Sequence, residues 1–149
     1  MVLKLLEVRE ASSENVHSSG DVMNMMREEA RADRECFWVL HLNAKLHIIE
    51  KELVFMGTLE SSPVSCREIF KKAIVNCSAR IICVHNHPSG DPEPSAADKG
   101  CVEMLFSASD IIGIPLDDFI IIGTKGYYSF ADQGLIEDYL SKINVKRAK

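Results

Sequence analysis

The sequence predicts an α/β (α+β) domain built on a mixed β-sheet flanked by helices, and three observations carry that class. Strand-like and helix-like segments alternate along the chain but include hairpins, which a purely parallel sheet does not have. The run "ARIICVHNH" is short and nearly all apolar, the pattern of a central strand buried on both faces. "LDDFIIIG" and "GYYSF" flank a two-residue "TK" turn set between glycines, which reads as a closing hairpin. With 149 residues, 46% of them apolar and 26% charged, the chain fits one soluble domain large enough to bury a core.

Each element can be justified in order. Residues 2–9 read as a strand and "SSEN" as loop. Ser18 or Ser19 can cap a helix through "DVMNMMREEARA", whose Val22, Met25 and Met26 share one face and belong to the core. "ECFWVLHLNA" is rich in β-branched and aromatic residues and reads as a strand ending near Asn43. The short "NAK" turn then leads by a hairpin into "KLHIIEKELVFMG", one or two further strands. Ser65 stands three residues before Glu68, a capping box for the next helix, on which Val64, Ile69, Ala73 and Ile74 form an apolar stripe. After "ARIICVHNH", three prolines and a glycine within "PSGDPEP" end the strand. Ser95 opens a helix, "SAADKGCVEMLFSAS", with Asp98 in its first turn, and "LIEDYLSKI" is a terminal helix. No internal repeat or low-complexity tract interrupts the chain.

Charge and cysteine content exclude several classes. A net charge of −5 and a pI near 5.5 argue against strong sequence-independent binding to nucleic acid, which depends on Lys and Arg neutralising phosphates. The basic tail of Lys142, Lys146, Arg147 and Lys149 reads as a solvated, frayed terminus. The five cysteines are odd in number and show no C-x-x-C spacing, so reduced thiols among apolar neighbours are expected. Apolar runs are too short to span a bilayer, and "MVLKLLEVRE" lacks the features of a secretory signal, so a cytoplasmic protein without a membrane partner is the expectation.

The chemistry concentrates in "VHNHPSGDPEPSAAD", residues 84–98. His85 and His87 stand two apart at a strand end and therefore project from one face. The proline-rich excursion returns the chain at Ser95, and Asp98 follows at a helix N-terminus, where a carboxylate is favoured. Two His and one Asp suit Zn2+ and leave a fourth position open to water, as a catalytic site needs. Each piece has a plainer account: a strand-end histidine meeting solvent, an S-x-x-D cap, an ordinary turn. Their conjunction favours a metal site. The zincin helix H-E-x-x-H and the zinc deaminase pair H-x-E with P-C-x-x-C are both absent, and an adjacent H-N-H triplet is not the nuclease arrangement. The asparagine between the histidines carries no evident role.

His85-x-His87, seven residues, Ser95, two residues and Asp98 resemble the JAMM signature of JAB/MPN-domain metalloproteases. "ECFWVLHLNAK", "GTLESSPVSCREIFKKAI", "HNHPSGDPEPSAAD" and "DDFIIIG" are similar, more narrowly, to the bacterial RadC-type branch, over about Ser18 to Leu135. The resemblance implies one MPN/JAB-like domain of cytidine deaminase-like architecture over residues 18–140, between an N-terminal strand and arm (1–17) and the basic tail (141–149). It also implies Zn2+ on His85, His87 and Asp98, Glu35 as general base, and Ser95 hydrogen-bonding the water or the oxyanion. Without the resemblance, Glu35 reads as a surface charge at a strand end. Glu28, Glu29, Glu50 and Glu52 read as solvated faces, and Cys83, which shares a strand face with His85, as core packing. Asp118 lies outside the signature.

The implied function is zinc-dependent hydrolysis of a peptide or isopeptide bond in a peptide or protein substrate. Two alternatives remain open: a binding protein of DNA repair or mobile-element biology without proteolysis, and a non-catalytic MPN scaffold. The long form of the RadC branch carries an N-terminal helix-hairpin-helix region, in whose place this sequence has a short arm. Strong direct contact with nucleic acid is therefore not expected. A homo-oligomer is compatible with the sequence.

Overall fold

The computed structural model describes residues 13–57 and 64–148. Its strands are β1 (Cys36–Leu42), β2 (Ile48–Met56), β3 (Arg80–Asn86), β4 (Leu116–Gly123) and β5 (Gly126–Ser129), joined in one sheet of order β2-β1-β3-β4-β5. The β1–β2, β1–β3 and β4–β5 pairs are antiparallel and the β3–β4 pair is parallel, so the sheet is mixed, as expected. The helices are α1 (Ser19–Met25), α2 (Cys66–Val75), α3 (Ala96–Ile112) and α4 (Leu135–Arg147). The parallel pair needs a crossover, and α3 supplies it.

Period-two alternation divides the core into two layers. On one face Phe37 and Val39 of β1, Ile81 and Cys83 of β3, and Phe119 and Ile121 of β4 pack with α2 and α3. On the other, Trp38, Leu40, Ile82, Val84, Ile120 and Ile122 pack with Val22, Met26 and Ala30. Strand β3 is thereby covered on both sides, which accounts for its unbroken apolar run. Cys83 is fully enclosed and its thiol is pushed up by burial, so it is core packing, not a reactive group. All five cysteines are free thiols.

Several expectations change in detail. Ser18 is the cap of α1, in a capping box with Asp21, but the helix stops at Met25 and a 3-10 turn (Glu29–Arg31) returns Ala30 to the core. Ser65 stands at the N-cap of α2 without a side-chain bond; its carbonyl takes the Glu68 and Ile69 N–H groups instead. The buried stripe of α2 is Ile69, Phe70 and Ala73, while Ile74 faces solvent. The basic segment is helical to Arg147, whose guanidinium pairs with Asp110 of α3 at 2.6 Å. Glu28 is exposed as expected, but Glu29, Glu50 and Glu52 are partly buried and ion-paired with Lys51 or Lys72. The N-terminal strand expected at residues 2–9 lies outside the described residues.

Two contacts fix how the sheet carries its loops. The loop after β3 folds back so that Gly90, at φ +86°, lies on the β4–β5 turn, where its carbonyl accepts from Lys125 N at 3.1 Å. A Cβ on Gly123 would meet that carbonyl oxygen at 2.3 Å. Asp118 is buried in β4, where its carboxylate accepts from the Ser129 hydroxyl and the Ala131 N–H and so ties β4 to the turn after β5. Burial outweighs those donors and pushes its pKa up to about 6.

Two outcomes follow. Gly123→Ala should lower stability by about 1–3 kcal/mol in urea unfolding, because the new methyl meets backbone that cannot swing aside. Asp118 binds its proton more tightly folded than unfolded, so its contribution is complete below pH 3.8 and is lost as pH rises through about 6. The stability of Asp118→Asn relative to the parent should therefore rise across that window, by on the order of 2–3 kcal/mol, and level off above it.

Candidate metal centre

The site forms where β3 leaves the sheet. His85 is its penultimate residue, and His87 follows the last, with its N–H still bonded to Ile122 O of β4 at 2.9 Å. The two rings are perpendicular, with centroids 5.2 Å apart. Asp98 arrives from the first turn of α3. Its carboxylate lies 3.0 Å from His85 Nδ1 and 3.2 Å from His87 Nε2. His85 and Asp98 are buried, whereas the His87 side chain is 14% exposed and closes the group toward solvent.

The cap of α3 also orients the carboxylate. Ser95 Oγ accepts from Asp98 N at 3.1 Å, while Ser95 N and Oγ both donate to Asp98 Oδ2, at 2.8 and 2.7 Å. The capping motif read from the sequence and the ligand motif are thus the same atoms. Burial opposes ionisation of Asp98, but the bonds from His85, His87 and Ser95 together outweigh it and hold the carboxyl well below the usual carboxylate range. The same contact with Asp98 holds the His87 pKa above its ordinary value.

The donor set fits a metal ion. One ligand atom from each of His85, His87 and Asp98 lies within 4.8 Å of the others. His85 Nε2 is buried without a hydrogen-bond partner, which is costly for an imidazole nitrogen unless a further group meets it. His87 Nδ1 can donate to Asp91 O at 2.9 Å, which leaves the Nε2 lone pair for a metal, a support that metal-binding histidines regularly have.

Glu35 sits immediately before β1. The register Phe37↔His85, extended by two residues, brings Glu35 opposite His87 and onto the histidine face. Its Oε2 is 3.9 Å from His85 Nε2, and its side chain is 28% exposed. With Gly57, Pro88 and Ser95 these side chains line a cleft of about 560 Å³. All five residues singled out in the sequence therefore meet at one place.

Asn86 is the residue the sequence reading missed. It points to the opposite face from His85, is fully buried, and grips the backbone on both sides of Glu35. Its Oδ1 accepts from Cys36 N at 2.6 Å, and its Nδ2 donates to Arg34 O at 3.0 Å. Gly57 N adds a bond to Glu35 O at 2.9 Å. The available signal was a polar amide inside an otherwise apolar central strand, which must find partners there.

The model of the RadC-like JAB domain matches residues 16–135. The chain is 46% identical over 125 residues to a UPF0758 protein of Pelodictyon phaeoclathratiforme, an overlap covering 83% of this chain and 56% of that one. It is 43% identical over 122 residues to the UPF0758 protein YsxA of Bacillus subtilis, covering 81% and 53%. The chain thus spans about half the length of the curated relatives it matches. Among the described residues no helix is long and apolar enough to cross a membrane.

Asn86→Ala should leave the Arg34 carbonyl and Cys36 N–H without their partner and lower stability by about 1–3 kcal/mol. Hydrogen exchange at the Cys36 amide should accelerate beyond the change in global stability, which reports release of the segment carrying Glu35.

Proposed function

Because the chain belongs to the RadC-like JAB domain family, we propose that it is a zinc-dependent hydrolase of the JAMM type, cleaving a peptide or isopeptide bond. The observation that carries this reading is a carboxylate, Glu35, 3.9 Å from His85 beside the three-ligand group of His85, His87 and Asp98, in one open cleft.

The chain's own residues divide the work. His85, His87 and Asp98 would hold the ion, two neutral donors and one buried anion, with Asp98 kept ionised by its contacts with the two histidines and with Ser95. A zinc ion there would supply Lewis acidity to the scissile carbonyl and lower the pKa of its water from 15.7 toward about 7. Glu35, on the exposed side of the group, takes the water's proton and returns it to the leaving amine. Asn86 fixes the backbone from which Glu35 reaches, and so its distance to the reacting atoms. Ser95 borders the cleft, where its hydroxyl can turn to the water or the oxyanion. In the described arrangement that proton goes to Asp98, so Ser95 acts first by positioning the ligand.

Protein purified without chelator should carry about one zinc per chain by elemental analysis, and Asp98→Asn should lose it. Absence of zinc from the parent protein overturns the reading. Glu35→Gln should keep the zinc and lower turnover of peptide or isopeptide-linked substrates by about 10²–10⁴-fold. Unchanged turnover would remove Glu35 from the mechanism.

A further inference from the structure

A second group of metal-ligating side chains lies at the other end of the β1–β2 hairpin. His41 of β1 is paired directly with Glu50 of β2, and Glu52 follows two residues on, so all three project from one face. One ligand atom from each lies within 4.8 Å of the other two. This face also carries Phe37 and Val39, which separate the group from the cleft of Glu35.

Two observations point to a ligand beyond the acidic pair itself. His41 is fully buried, and its Nε2 has no hydrogen-bond partner; Glu52 Oε2 is likewise buried and makes no hydrogen bond. These two atoms face each other at 3.7 Å. That is too long for a hydrogen bond but close to the separation of two donors sharing one ion at about 2.0–2.2 Å from each. The other imidazole nitrogen is already supported: Nδ1 lies 3.1 Å from Ser78 Oγ, which can accept its proton and leave Nε2 with the lone pair a metal requires. Burial pushes the imidazole down to about 4, so it is a neutral donor at physiological pH. Glu50 is steadied by Asn76 Nδ2 at 2.8 Å.

One cation already borders the group. Lys72 Nζ of α2 is 2.9 Å from Glu50 Oε1 and 3.7 Å from Glu52 Oε2. Its side chain is 48% exposed, so it can swing into solvent, and it leaves His41 Nε2 and Glu52 Oε2 without a hydrogen bond. We propose that His41, Glu50 and Glu52 form a second Zn2+ site, distinct from the His85–His87–Asp98 group, with the Lys72 ammonium as a built-in competitor for the cation position. The competitor makes this the weaker site, filled only when zinc is added.

The test is a zinc titration of chelator-stripped protein by calorimetry, with histidine ring resonances followed by NMR. The parent chain should take one more equivalent than Glu52→Gln, and Lys72→Met should bind that equivalent at least about tenfold more tightly because its rival charge is gone. The His41 ring resonance should move only as that equivalent binds. The site is disproved if Lys72→Met takes up no more zinc than the Lys72→Met/Glu52→Gln pair. It is equally disproved if the His41 resonance of the parent chain stays in place to millimolar zinc, a reading that needs no variant to fold. The comparison counts ions against Glu52→Gln, so it stands whether or not the first site binds zinc.

Discussion

A single buried carboxylate organises this domain. Asp98 accepts from both donors of Ser95, the backbone N–H and the hydroxyl, and lies against both histidines at the end of β3. It therefore joins the start of the crossover helix to the end of the central strand. An anion so enclosed is tolerable only when hydrogen-bonded on all sides, and here every partner is also part of the candidate centre. The loop between them has little freedom: Gly90 is seated on the β4–β5 turn and His87 is still bonded to β4. Capping, loop closure and ligand placement are one set of contacts.

Legibility from sequence followed the range of the interaction. The group of His85, His87, Ser95 and Asp98 was readable because its parts lie within one strand end, one turn and one cap, and each obeys a local rule. The two buried faces of β3 were readable from its apolar run. Glu35 was readable only through family resemblance, because strand pairing across fifty residues leaves no local trace; its face became evident from the Phe37↔His85 register. The polar amide of Asn86 stands out within an apolar strand, but its partners are backbone groups, which no residue pattern announces. The spacing of Ser65 and Glu68 predicts a side-chain cap, whereas the Ser65 carbonyl does that work. Charge on an edge strand reads as solvated, but Lys72 of α2 pairs with both Glu50 and Glu52.

Seen along β1, one row of side chains does three jobs. Glu35 borders the cleft, Phe37 and Val39 fill the core, and His41 meets Glu50 and Glu52. Alternation hides the row from solvent on one face while Trp38 and Leu40 serve the other layer. A one-residue slip would empty both polar groups at once and bury the wrong side chains, so the register of this strand is constrained at both ends and in the middle.

The way Asn86 holds Glu35 bears on how such a domain can diverge. The clamp grips the main chain at Arg34 O and Cys36 N and leaves the Glu35 side chain untouched. The identity of the residue at 35 is thus separable from the placement of the segment that bears it. A lineage could exchange the acid for almost any side chain and keep its fold, its strand pairing and the His85–His87–Asp98 group, losing the proposed base in one mutational step. The return path would be as short, since the seat for the acid would still be there.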